Sequence, residues 1–339
     1  MTGTGKPLRI GILGAAKIAR AFCTAVASSH LVEVTAVASR EAAKAVAFAK
    51  DLSIARTFSS YEALLANSDI DAIYNPLPNS LHAEWSIKAV EAGKHVLCEK
   101  PLAINGAEAK SMFDAARRSG LHLVEAYPYL AQPQTLKVRE LVESGAIGKP
   151  QLIRASFGVF FSDPANIRLM PDLGGGSLMD AGSYPVSFVR AIAGERPSRV
   201  HAIARWSESG VDKTLAATMV YDSGLIAQIT SSFATGYHRA AQIAGDAGSI
   251  DVTYLNHPPV GGEPVLYLRR GIMVTDAIET IKVAGGNGFL AEAESFARLV
   301  SGGPKHWTGA TEQESIDIAL TLEALLRSAR SGAAVDVGS

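Results

Sequence analysis

Over the first 125 or so positions, short apolar runs alternate with longer stretches in which apolar residues recur every three to four places. The runs 8–13, 32–38, 71–75, 94–98 and 121–126 predict buried strands, and the stretches 17–28, 41–52, 61–66, 81–92 and 106–119 predict helices with one apolar stripe. Strand-helix-strand repetition of this length requires right-handed crossovers and therefore a doubly wound parallel sheet.

Beyond Pro133 the period changes. A helix over 134–144 leads into segments alternating with period two: 151–157, 200–206, 214–221, 225–233, 241–244 and 265–268. Asp222-Ser223-Gly224 reads as a hairpin turn between two of them. Sequential strands of this kind predict a largely antiparallel open sheet. One helix over 177–193 interrupts it, and helices over 287–301 and 311–331 close the chain. The expected class is α/β, with a parallel-sheet domain over 1–126 and an α+β domain over 127–339.

Candidate chemistry clusters at predicted strand ends, where open α/β sheets place their ligands. Glu99-Lys100-Pro101 closes the apolar run of the predicted strand 94–98. Alone, the tripeptide also reads as a surface ion pair before a turn proline. The first strand-to-helix turn carries Gly14, Ala15, Ala16, Lys17 and Ile18, with Ala19 completing a G-x-A-x-x-A variant of the dinucleotide fingerprint. Ala16 adds a methyl where a pyrophosphate approaches the backbone. The second strand ends in Ser39 and Arg40 where NAD-binding folds put an acid, and this pair is suited to a ribose 2′-phosphate. NADP(H) is therefore expected over NAD(H). As plain structure, the same pair is a helix-capping serine and a solvated arginine.

The loop 75–82, Asn75-Pro76-Leu77-Pro78-Asn79-Ser80-Leu81-His82, follows the predicted strand 71–75. Leu77, Pro78 and Asn79 are placed to wall a nicotinamide ribose. His82, one turn into the next helix, reads equally as a ligand contact or a helix-face histidine. Further on, Asp172-Leu173-Gly174-Gly175-Gly176 precedes a helix bearing Asp180 and Tyr184, four apart and hence on one face of an α-helix. A carboxylate and a phenol facing one cleft fit a substrate-orienting group and a proton carrier. Arg168, just before the glycines, is a candidate clamp for substrate or phosphate, or a surface arginine on a loop.

Composition narrows the partners. A formal charge of −1 over 339 residues, with no basic block, speaks against nucleic acid and anionic membranes. No apolar stretch reaches membrane-spanning length, and residues 1–7 lack the apolar core of a signal peptide. Cys23 and Cys98 stand far apart and fit free thiols in a reducing, cytoplasmic setting. The histidines and cysteines show no metal-ligand spacing, so no metal is expected.

These motifs together resemble the Gfo/Idh/MocA oxidoreductases, the glucose-fructose oxidoreductase, inositol dehydrogenase and rhizopine-catabolism family. The resemblance spans essentially the whole chain and implies a Rossmann domain followed by a substrate-binding and oligomerisation domain. It matches Lys100 to the family's catalytic lysine, Tyr184 to its acid/base and Asp180 to the accompanying aspartate. Tyrosine at 184 is similar to the branch holding glucose-fructose oxidoreductase, dimeric dihydrodiol dehydrogenase and sugar ketoreductases. Segment 125–134 resembles that branch's motif, with Leu130 and Gln132 where Arg and His are usual. The resemblance implies hydride transfer between a nicotinamide and a CH–OH or C=O carbon of a sugar or polyol. In that chemistry Lys100 favours tyrosinate at Tyr184 and polarises the carbonyl oxygen. It also implies a homodimer or homotetramer. Oxidation of a non-sugar diol is the nearest alternative, and a non-catalytic dinucleotide-sensing regulator is the alternative outside enzymes.

Overall fold

A computed structural model of the chain describes residues 6–163, 165–253 and 263–338. The chain packs as two compact units, one of residues 1–103, 107–131 and 287–310, the other of residues 104–106, 132–286 and 311–339.

The first unit holds six parallel strands: β1 (Leu8–Leu13), β2 (Val32–Ala38), β3 (Arg56–Phe58), β4 (Ala72–Asn75), β5 (His95–Glu99) and β6 (Leu123–Ala126). Their order, β3-β2-β1-β4-β5-β6, is doubly wound, with the switch of direction between β1 and β4. Helices α1 (Lys17–Val26), α2 (Ala42–Leu52), α3 (Tyr61–Leu65), α4 (His82–Glu91) and α5 (Gly106–Ser119) supply the crossovers. The apolar runs became strands because they are buried on both faces. Ile10, Ile12, Tyr74, Val96 and Leu97 are fully enclosed.

The second unit begins with α6 (Pro133–Glu143) and β7 (Pro150–Phe160), then a single π-helical turn, Leu178–Gly182, running into α7 (Ser183–Ala193). Strands β8 (Arg199–Trp206), β9 (Asp212–Val220), β10 (Ile226–Ser232), β11 (Ala234–Gly245), β12 (Gly248–Val252), β13 (Val265–Arg270) and β14 (Ile278–Lys282) follow. The chain then runs through α8 (Gly288–Gly302) and α9 (Glu312–Ser331) to β15 (Val335–Asp336). The nine strands lie in the order β14-β13-β12-β11-β7-β10-β9-β8-β15, antiparallel except for the parallel pair β7–β10. The turn 222–224 joins β9 to β10 as expected, with Gly224 at φ 89°. Helices α7 and α9 cover one face, on which Ile153, Ala155, Phe157, Leu215, Met219 and Ile229 point inward.

Strands β3, β12, β14 and β15 lie outside the predicted segments, and two helical features also differ from the periodicity reading. The segment 177–193 is not one regular helix, because its first turn widens to π geometry. The helix over 287–301, expected with the second domain, packs instead in the core of the first unit, so a single cut near residue 126 does not describe the packing. The reason is an uncovered aromatic surface. Phe22 stacks on Tyr74 at 4.1 Å, and Phe289 of α8 meets Phe22 edge-on at 6.4 Å, with Ala293 and Phe296 continuing the contact.

Candidate functional site

In the first unit, the switch point brings the turn after β1 against the loop after β4. Gly14 has φ +88°, a conformation that favours glycine, and a Cβ there would lie 3.2 Å from Cδ2 of Leu77. Its N–H donates to the carbonyl of Ala38 at 2.8 Å, tying the turn to the tip of β2. Ala16 caps α1 in extended backbone, with φ −78° and ψ 157°. That conformation does not need glycine, which explains how alanine stands at the fingerprint's second position. The cap offers no side-chain acceptor and the first turn of α1 has no acid, so its N–H groups and dipole are available to an anion. Ala15 is half-buried beside them, while Lys17 and Ile18 are exposed on that turn.

At the tip of β2, Ser39 is buried and its Oγ accepts the N–H of Glu41 at 3.2 Å, leaving its O–H to donate. Arg40 is exposed and has no hydrogen bond or ion pair among the described residues. The adjacent acid, Glu41, is engaged by Lys44 at 2.6 Å. A guanidinium and a hydroxyl with spare donors, beside an acid already paired, fit the 2′-phosphate of NADP. The residues present therefore suit that group.

The loop after β4 is braced from within. Asn75, fully buried, donates to Ser86 Oγ at 3.0 Å and accepts the Leu77 N–H at 3.3 Å. Leu77 is buried, while Pro78 and Asn79 are partly exposed at the start of a short 3-10 turn. His82 faces inward, against the reading of it as a ligand contact. Its ring is 1% exposed, with Nε2 2.7 Å from the Leu77 carbonyl and Nδ1 2.9 Å from that of Pro101. Burial pulls its pKa down, against the two carbonyls that raise it, to about 4. His82 therefore ties the loop after β4 to the loop after β5. The second of those loops contains Lys100, half-buried, followed by a cis Lys100–Pro101 peptide. Glu99 turns inward, 7% exposed, its Oε1 accepting the Tyr74 hydroxyl at 2.5 Å and its Oε2 the Lys100 N–H at 3.3 Å. It thus supports the loop from within, at a position expected among the cofactor contacts.

In the second unit, Tyr184 opens α7 with its ring 5% exposed, edge-on to Phe157 at 5.4 Å. Arg239, opposite Phe157 in the β7–β11 register, lays its guanidinium 4.5 Å from the Tyr184 ring and 4.2 Å from that of Phe157. Asp180 lies in the π turn, where Arg168 Nε donates to its Oδ2 at 2.7 Å. The expected clamp Arg168 is thus committed to the expected catalytic aspartate. A π turn is not an α-helix, so the four-residue spacing of Asp180 and Tyr184 does not by itself put them on one face.

Sequence reasoning missed two residues here. Asp212 is buried at the start of β9, and its Oδ2 accepts the Ser177 hydroxyl and the Leu178 N–H, both at 2.7 Å. Burial pushes its pKa up to about 6. It explains one glycine of the triple. Gly176 has φ +123°, and a Cβ there would lie 2.2 Å from Asp212 Oδ1. No local pattern marks Asp212 as a brace. Arg239 left one signal, a charged residue on the inward phase of β11.

A doubly wound sheet with a braced glycine turn, followed by an open mixed sheet carrying a tyrosine, aspartate and arginine cluster, is the architecture of a two-domain nicotinamide-dependent oxidoreductase. The comparisons agree. A model described as oxidoreductase family, NAD-binding Rossmann fold, matches residues 8–127, and one for the GFO/IDH/MocA C-terminal domain matches residues 135–251. The chain belongs to the GFO/IDH/MocA oxidoreductase family. It is 37% identical to D-xylose 1-dehydrogenase (NADP(+)) 2 of Haloferax volcanii, over 97% of this chain and 100% of the relative. It is 34% identical to trans-1,2-dihydrobenzene-1,2-diol dehydrogenase of Danio rerio, over 88% of this chain and 90% of the relative. Among solved structures it resembles a 3-ketoreductase from Actinomadura kijaniata in complex with NADP and TDP-benzene. That match has TM-score 0.87 and 32% identity, covering 95% of this chain and 98% of that one.

Proposed function

We propose that the chain is an NADP(H)-dependent oxidoreductase acting on a CH–OH or C=O carbon of a sugar or polyol. The observation that carries the cofactor half is Arg40, a guanidinium without a partner among the described residues at the tip of β2, where NAD-binding folds hold an acid. The relatives named for NADP support the same reading.

When bound, the nicotinamide gives or takes the hydride. Gly14 to Ile18 hold the pyrophosphate through backbone N–H groups, Ser39 and Arg40 hold the 2′-phosphate, and Leu77, Pro78 and Asn79 flank the ribose. Lys100 donates to the reacting oxygen or the ribose hydroxyls. Tyr184 carries the proton, accepting it from the carbinol O–H in oxidation and returning it to the carbonyl oxygen in reduction. Asp180, held by Arg168, orients a substrate hydroxyl. Support for the lysine and tyrosine comes from the ketoreductase structures. They include one variant changed at a lysine and another at a tyrosine, separated by the same number of residues as Lys100 and Tyr184.

A panel of aldoses, ketosugars, inositols and diols, each assayed with both nicotinamide cofactors, tests the proposal. Turnover confined to sugars or polyols with NADP(H) is the expected result, and absence of turnover on every carbonyl or carbinol overturns it. Oxidation of a non-sugar diol is the second reading, favoured by the likeness to the dihydrodiol dehydrogenase.

The outer face of the nine-stranded sheet leaves Ile203, Val220 and Ile226 exposed. We read that face as the seat of a second copy, giving a homodimer or homotetramer that light scattering would detect. No helix among the described residues is long and apolar enough to cross a membrane. The two buried free thiols, Cys23 and Cys98, fit a cytoplasmic location.

A further inference from the structure

Glu292 is a buried acid of the first unit with both carboxyl oxygens unserved among the described residues. It sits on α8, 1% exposed. Its electrostatic neighbours are Glu99 from β5 and Glu125 from β6. Tyr74 from β4 belongs to the same cluster, with Cys23 of α1 beside it. Helix α8 also packs on β2 and on the turn 128–131, whose titratable side chain is Tyr129. The cations of α1, Lys17 and Arg20, are exposed and line an outer groove with Asn287 and Leu290.

The backbone and Tyr74 serve two of the three acids. Glu99 accepts from Tyr74 and from the Lys100 N–H, and Glu125 accepts the Leu102 N–H at 2.8 Å. Donors stabilise the charged form of the acids that receive them. Three ionised carboxylates enclosed together would repel strongly, and an unserved buried charge is the costliest of the set. Glu292 is therefore where the proton resides. Burial and its two acidic neighbours push it well above the ordinary carboxylate range.

We infer that Glu292 is a neutral carboxylic acid and a positioning residue, which lets Glu99 remain the anion that anchors the loop bearing Lys100. The positioning role rests on the proposed assignment of Lys100. The protonation state of Glu292 does not.

A group whose folded pKa is raised contributes stability that is complete below its unfolded pKa and is lost as pH rises through the folded one. Glu292→Gln, which imitates the neutral acid, removes that dependence. Infrared spectroscopy of the native protein at about pH 7 should show a protonated-carboxyl band that is missing in Glu292→Gln. The melting temperature of Glu292→Gln should exceed the native value by a gap that widens as pH rises from about 5. Glu292→Ala should lower kcat on the order of tenfold by loosening the loop, with most of the loss restored in Glu292→Gln. The native decline of kcat at alkaline pH should be weaker in Glu292→Gln. Absence of the infrared band, or a melting gap that does not change with pH, overturns the inference. Native turnover by Lys100→Met with the band still present would instead remove the assignment of Lys100, and the positioning role with it.

Discussion

At the scale of single residues, three side chains make the proposals measurable. Tyr184→Phe keeps the ring that packs against Phe157 and Arg239 and removes only the hydroxyl. Its kcat should fall about 10²- to 10⁴-fold, with cofactor dissociation constants near native; a fall below threefold would contradict the proton-carrying role. Arg40→Ala removes a charge-assisted hydrogen bond contributing about 1.5–3 kcal/mol, so NADP(H) should bind roughly ten- to a hundredfold more weakly while NAD(H) is little affected. The loss should shrink at high salt, since Arg40 is exposed. Titrating both cofactors against both proteins decides it. Asp212 tests the brace. Its pKa is raised to about 6, so it contributes stability at low pH that is lost as pH rises through that value. At about 1.4 kcal/mol per pH unit the loss between pH 4 and 6 is about 3 kcal/mol. Asp212→Asn still accepts from Ser177 and Leu178, and melting curves of the two proteins should diverge across that window and run parallel above it.

At the scale of elements, loops are held by buried side chains that bond to their main chain. His82 joins two loops through main-chain carbonyls, Asn75 fixes the start of one and Glu99 the start of the other. In the second unit, Gly176 lets the chain turn against Asp212 before the π turn that carries Asp180. Gly176→Ala should destabilise by about 1–3 kcal/mol, combining a positive φ with a clash against a buried carboxylate. Chemical denaturation measures this, and an unchanged midpoint would mean the turn relaxes freely.

At the scale of the whole molecule, the first unit is discontinuous. Residues 287–310 return to complete a core begun by residues 1–103 and 107–131, contributing Phe289, Ala293, Phe296 and Leu299. Burying each large apolar side chain contributes about 1.5–3 kcal/mol, and a domain has only about 5–15 kcal/mol to lose. A fragment ending at Ala131 should therefore lack a cooperative melting transition that the full chain shows. A sharp calorimetric peak from that fragment would show the helix to be dispensable.

Local pattern alone determined five of the six parallel strands to within a residue or two at most of their edges, and missed β3, whose three residues are too few to show a period. A strand buried on both faces must be continuously apolar, and crossovers have one hand. The positions of Gly14, Ser39, Arg40 and Lys100 were legible for a related reason, since each lies at a strand end that the pattern marks, whereas Tyr184 was placed inside a helix whose first turn the pattern did not resolve. Tertiary structure alone decided that α8 belongs to the first unit, because an apolar stripe does not say which surface it covers. It alone turned His82 and Glu99 inward, committed Arg168 to Asp180, and brought Asp212 under the glycines and Arg239 over Tyr184. Each of those contacts joins groups far apart in the chain or inverts a side chain's expected exposure, and periodicity carries no information about which partner meets a given face.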